Sequence, residues 1–190
     1  MRRAAFTLLE MILVLALLVI VAALATPSLV SMQPYYRNQG GADALKSAFA
    51  NARAAAMDTG QPYRVAIVPG KSNFRVAPDD PTYWTGSSQP FNSEESTTIT
   101  IIESAAPKGV VLSLDDSTGV VMSEDDEDTV LSAESIGPDQ WRTLAVLLPD
   151  GSAREDARVI LRTRGTYPLL VYLRSLTGIA TAHPLAQEDR

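Results

Sequence analysis

The chain has 190 residues, 46% of them hydrophobic, and sets 22 acidic against 16 basic side chains for a formal charge of −6. That acidity disfavours nucleic-acid phosphate as a partner, because such binding is dominated by Lys and Arg. No cysteine is present, which excludes disulfides, thiolate metal sites and cysteine nucleophiles.

The first element is an apolar run over residues 6–25, in which Glu10 is the only charge. About 20 apolar residues at ~1.5 Å rise give ~30 Å, the thickness of a hydrocarbon core. Arg2 and Arg3 precede the run and would hold that end in the cytoplasm. Three readings compete. Ala23-Leu24-Ala25 resembles a small-x-small cleavage site, as in a secretory signal peptide. A plain single-span anchor fits the length. Neither uses Glu10, whose carboxylate costs roughly 2.5 kcal/mol or more at membrane depth and so calls for a partner charge. The third reading supplies that charge from a second copy of the helix.

Ala5-Phe6-Thr7-Leu8-Leu9-Glu10 resembles the processing motif of type IV prepilins and type II secretion pseudopilins. The resemblance implies a leader over 1–5, cleavage between Ala5 and Phe6 by a prepilin peptidase, N-methylation of Phe6, and Glu10 as fifth residue of the mature chain. Ala5 stands where that family most often has Gly. Pro27 falls where many members carry a helix-kinking proline. An α-amino group with a pKa of about 7.7–8.0 is largely cationic at neutral pH, so the amine of one Phe6 suits the Glu10 of a neighbouring subunit.

Residues 27–60 are expected to continue the helix as an amphipathic second half. Gly40-Gly41 and Pro34 predict a bend or melted turn, because each Gly costs about 1 kcal/mol relative to Ala. Tyr35 and Tyr36 suit a membrane interface or the junction with the next domain. Beyond them Ala42, Leu45, Phe49, Ala52 and Ala56 recur on one helix face, and Gly60 and Pro62 end the helix. Ala52-Arg53-Ala54-Ala55-Ala56 is similar to the alanine-rich, arginine-bearing turn of the H-type minor pseudopilins.

The remainder, 61–183, reads as a β-rich head, with a tail over 184–190. Strands are expected at 63–68 and 73–77 around a Pro69-Gly70 turn, at 98–103, 109–114 and 120–122, then at 141–148, 157–162 and 168–174. Residues 79–96 read as a long loop pinned by Trp84 and Phe91. Pro149-Asp150-Gly151-Ser152 and Leu176-Thr177-Gly178-Ile179-Ala180 resemble the C-terminal pattern of the same H-type family, which implies a short closing strand after the Thr-Gly turn, although Ile179 stands where an Arg is usual.

Candidate chemistry is sparse. His183 has no cysteine or second histidine to pair with and reads as a tail residue. No Ser-His-Asp arrangement, P-loop or dinucleotide fingerprint occurs. The acidic block Glu124-Asp125-Asp126-Glu127-Asp128 lacks the spaced ligands and turn glycine of a Ca²⁺ loop and reads as solvated, with a Ca²⁺ site or a dock for a basic partner as alternatives. Arg154, Arg158, Arg162, Arg164 and Arg174 suit solvated strand faces, with a DNA-binding groove as the alternative.

The expected fold is α+β, a long N-terminal helix packed on an antiparallel sheet or sandwich. No catalytic residue, cofactor or metal is expected. The resemblance implies a non-enzymatic minor pilin or pseudopilin of the inner membrane, single-pass, with a cytoplasmic N-terminus and an extracytoplasmic head. Its implied partners are other pilins or pseudopilins and the prepilin peptidase and methyltransferase. The alternatives are a signal-peptide-bearing or anchored β-domain and a DNA-capturing minor pilin.

Overall fold

The computed structural model describes residues 8–84, 99–114, 136–137 and 140–185, with the backbone alone for 23–31. Helix α1 spans Leu8–Thr59 without interruption. Its 52 residues extend about 78 Å at ~1.5 Å per residue. The helix ends where the sequence stops supporting it. Gly60 takes φ +69°, and its N–H donates to the Ala56 carbonyl at 3.0 Å.

No melted turn interrupts α1 between Pro34 and Gly41, contrary to the sequence expectation. The reason is packing. Gly41 is buried, and a Cβ there would lie 3.0 Å from Val110 Cγ1 and 3.1 Å from Leu161 Cδ2. The glycine lets the helix backbone approach the sheet, and that contact offsets its poor propensity. The stripe expected beyond it is buried as a set: Ala42, Leu45, Phe49, Ala52 and Ala56 all enter the main core. Asn38 lies on the same stripe and is also buried.

Strands β1 (Tyr63–Ile67), β2 (Asn73–Pro78), β3 (Ile102–Ala105) and β5 (Arg142–Leu147) form one antiparallel sheet in the order β3-β2-β1-β5. Strands β4 (Val110–Leu114), β6 (Ala157–Thr163), β7 (Leu169–Arg174) and β8 (Ile179–Pro184) form the other, in the order β4-β6-β7-β8. The Gly70 N–H donates to the Leu112 carbonyl and the Leu112 N–H to the Lys71 carbonyl, each at 2.9 Å, which ties the tip of the β1–β2 hairpin to β4. Val65, Val76, Leu112, Leu161, Val171 and Leu173 face α1 from the two sheets and complete the core. The result is the α+β arrangement expected, a helix packed on antiparallel sheets.

Every residue of β2 is buried, because this inner strand is covered on both faces. Phe74 and Val76 meet the main core, while Ala77 joins Ala66 and Trp84 in a second cluster. Of the loop expected over 79–96, residues 79–84 are described, and Trp84 anchors that part. Its Nε1–H donates to the Pro78 carbonyl at 2.8 Å, and the guanidiniums of Arg64 and Arg75 lie 4.9 and 5.3 Å from its ring centre. Phe91, the strand expected at 120–122 and the acidic block at 124–128 lie outside the described residues. The strand expected at 98–103 begins later, at Ile102, and pairs Asn73 with Ala105.

His183 is placed differently from expectation. It belongs to β8, opposite Leu170, and its Nε2 lies 3.0 Å from Thr181 Oγ1. The alternation of Ala180 and Ala182 against the core gives that segment strand character despite its position near the C-terminus.

Candidate functional site

The two halves of α1 have opposite environments. From Ala42 to Ala56 its apolar stripe is covered by the head. Over residues 8–22 every side chain is exposed, the large apolar ones from Val14 at 47% to Leu8 at 78%. A helix that is apolar on all sides and uncovered has its burial partner elsewhere, in lipid or in other protein chains. Glu10 is exposed in the first turn and is the only charge of that stretch.

Among the described residues no helix is long and apolar enough to cross a membrane. This departs from the span expected over 6–26. The described side chains of the apolar run end at Ala22. From Leu8 that is about 22 Å of helix, against ~30 Å for a hydrocarbon core. Ala5 and Phe6 lie outside the described residues, and Pro27 is described only as helical backbone.

At the far end of α1, three sequence features meet that lie far apart in the chain. Arg53 Nε–H donates to the Gly151 carbonyl at 2.8 Å. Gly151 and Gly178 both take positive φ, +83° and +61°. A Cβ on Gly178 would stand 2.2 Å from the Gly151 carbonyl oxygen and 3.1 Å from Arg53 Cδ. The Pro149–Ser152 turn is fixed from within. Asp150 Oδ1 accepts from the Ser152 N–H at 2.9 Å and from its hydroxyl at 2.6 Å, which lowers the Asp150 pKa. The alanine-rich turn, the Pro-Asp-Gly-Ser turn and the Thr-Gly turn therefore form one clamp between helix and sheets. A cleft of about 600 Å³ opens beside it, lined by Asp43, Lys46, Ser47 and Met57 among others. Within it Lys46 Nζ pairs with Asp43 Oδ1 at 2.7 Å.

A second tie closes the same end. Asp156 accepts from the Tyr172 hydroxyl at 2.5 Å and from the Ser175 N–H at 2.6 Å. The Tyr172 bond first, then those from Ser175 and the Arg174 charge, lower the Asp156 pKa to about 2, and the bond to Asp156 raises that of Tyr172. Asp79 pairs with Arg64 and, at 3.4 Å, with Arg154.

Of the five late arginines, Arg158 and Arg174 both lie near Tyr172 on one face of the second sheet. Arg154 and Arg164 lie in turns at opposite ends of β6. Arg158 lies over the Tyr172 ring at 5.7 Å. Among the described residues no group of three His, Asp or Glu side chains is placed to hold a metal.

Asn38 was not singled out in the sequence. Its Nδ2 donates to the Tyr167 carbonyl at 2.9 Å, and its Oδ1 accepts from Thr163 Oγ1 at 3.2 Å. The signal was present, since a polar residue on an apolar stripe needs buried partners.

No family model matches the chain, and no curated protein matches it. Among solved structures, the minor pseudopilin EpsH from the type 2 secretion system of Vibrio cholerae is similar, with 12% identity, a TM-score of 0.43, and coverage of 79% of this chain and 97% of that one.

Proposed function

We propose that this chain is a structural subunit, a minor pilin or pseudopilin assembled through its N-terminal helix into a type II secretion pseudopilus or pilus-like filament. The precursor is held across the inner membrane by its apolar helix, with the head on the far side. It is cut between Ala5 and Phe6, and the new amine is methylated. In the filament the apolar half of α1 packs against sister helices, and Glu10 pairs with the Phe6 amine of a neighbour. The pairing offsets the cost of burying each charge and fixes the axial register of one helix against the next.

The observation that carries this reading is the division of α1. One continuous helix buries its second half in its own head and leaves residues 8–22 uncovered around their whole circumference. An isolated secreted β-domain has no use for such an extension. Glu10 gives the extension a polarity that an inert anchor lacks.

Glu10→Ala tests the reading in cells that express the assembly machinery. The variant is expected to lose its leader as the wild type does, and to fall at least tenfold in filament incorporation. Tenfold is about 1.4 kcal/mol, a lower bound on the roughly 3–5 kcal/mol expected when one partner of a buried ion pair is removed. Incorporation at the wild-type level contradicts the proposed register.

A further inference from the structure

The strand ends fix which end of the head the exposed helix leaves from. Val110 opposes Thr163, and Leu169 opposes Pro184, so one end of the second sheet gathers the turns at 106–109 and 164–168 and the end of β8. Asn38 bonds to Tyr167 and Thr163 at this same end. Arg37 Nη1 would lie 3.8 Å from a Cβ on Gly109, and Pro34 Cγ 3.6 Å from one on Gly165. Residues 8–33 of α1 therefore project from this end, while the Arg53 clamp marks the opposite one.

Among the described residues the composition of this end is one-sided. Its segments, 34–41, 105–110, 162–168 and 184–185, hold Arg37, Lys108, Arg162 and Arg164 and no acid. Of the described acids of the head, Asp58, Asp79, Asp80, Asp150, Glu155 and Asp156 belong to segments at the clamp end or between the strands that lead to it, while Asp43 and Glu103, two residues beyond the collar segments, pair with Lys46 and Arg75. Among these cations stand three exposed tyrosines, Tyr35 (55%), Tyr36 (61%) and Tyr167 (79%). An apolar cleft of about 350 Å³ opens between Tyr35, Tyr167, Leu169 and Leu185.

We infer that this end is a lipid-facing collar that binds anionic phospholipid headgroups. The inference rests on the proposed membrane insertion of α1, which brings the collar down onto the bilayer surface. Cations then meet lipid phosphates, and tyrosines take the mixed apolar and polar environment of the headgroup layer. Charge complementarity favours lipid over the clamp end of a second copy, because that end mixes Asp79 and Asp156 with Arg64, Arg154 and Arg174. The collar would hold the head upright on the membrane before assembly.

The test uses the full chain in vesicles of phosphatidylcholine alone or with about 30% phosphatidylglycerol, a content high enough to create a strong surface potential. Amide hydrogen exchange is followed in peptides covering 106–110 and 163–168. Exchange is expected to slow about fivefold or more in the anionic vesicles, given the attraction of each surface cation. It should recover in about 0.5 M NaCl. It should also recover in the K108E/R164E variant, while the peptide over 149–153 stays unchanged throughout. Equal exchange in both vesicle types, with the chain resisting alkaline carbonate, overturns the collar alone. Protection that rises with protein density and ignores lipid charge identifies a second copy as the occupant and likewise overturns it. Release of the chain by carbonate overturns the membrane insertion and the collar with it.

Discussion

The Arg53 clamp depends on single atoms. At Gly178 any side chain brings Cβ to 2.2 Å from the Gly151 carbonyl oxygen, and the positive φ adds strain for an L-residue. Gly178→Ala is expected to lower stability by about 2–3 kcal/mol in urea unfolding, since both backbone strain and a steric shift oppose it. Arg53→Ala removes a charged donor from the Gly151 carbonyl and should cost about 1.5–3 kcal/mol in the same assay. Asp156 contributes through protonation. Its folded pKa of about 2 lies below the ordinary carboxylate value, so its contribution is present above about pH 4 and is lost as the pH falls toward 2. Asp156→Asn should flatten the stability profile over that window and leave its slope near neutrality unchanged. An unaltered acid limb would show that the bonds to Tyr172 and Ser175 do not set it.

At the scale of elements, α1 shows how much a sequence discloses and where it stops. Its amphipathic half was legible because Ala42, Leu45, Phe49, Ala52 and Ala56 repeat at helical spacing, and most strands were legible from their alternation and from turns such as Pro69-Gly70 and Pro149–Ser152. The continuity of the helix through Gly40 and Gly41 was not legible, because propensity is local and the compensating contacts to Val110 and Leu161 are not. The Arg53–Gly151 contact was hidden for the same reason, as was the reach of the closing strand to His183. The two glycines should respond oppositely to substitution. A Cβ on Gly40 meets only Pro107 Cγ at 3.5 Å, so Gly40→Ala should gain up to about 1 kcal/mol from helix propensity. Gly41→Leu drives a side chain into the β4 and β6 core and should lose about 1–3 kcal/mol. Thermal unfolding of the two variants checks the pair, and equal shifts would deny close helix–sheet approach at Gly41.

The whole molecule divides into a head that completes its own core and an apolar helical extension that does not. Only α1 joins them, so a change in the extension should alter association while leaving head stability intact. The central claim is that cleavage at Ala5–Phe6 frees the amine at the start of the extension and that Glu10 serves as its intersubunit partner. N-terminal sequencing with mass analysis of the mature protein, isolated from cells that carry a prepilin peptidase, tests that claim most directly. The account predicts a chain that begins at N-methylated Phe6 and retains Glu10 at its fifth position. A mature chain that begins at Thr26, with the apolar helix removed, would contradict it.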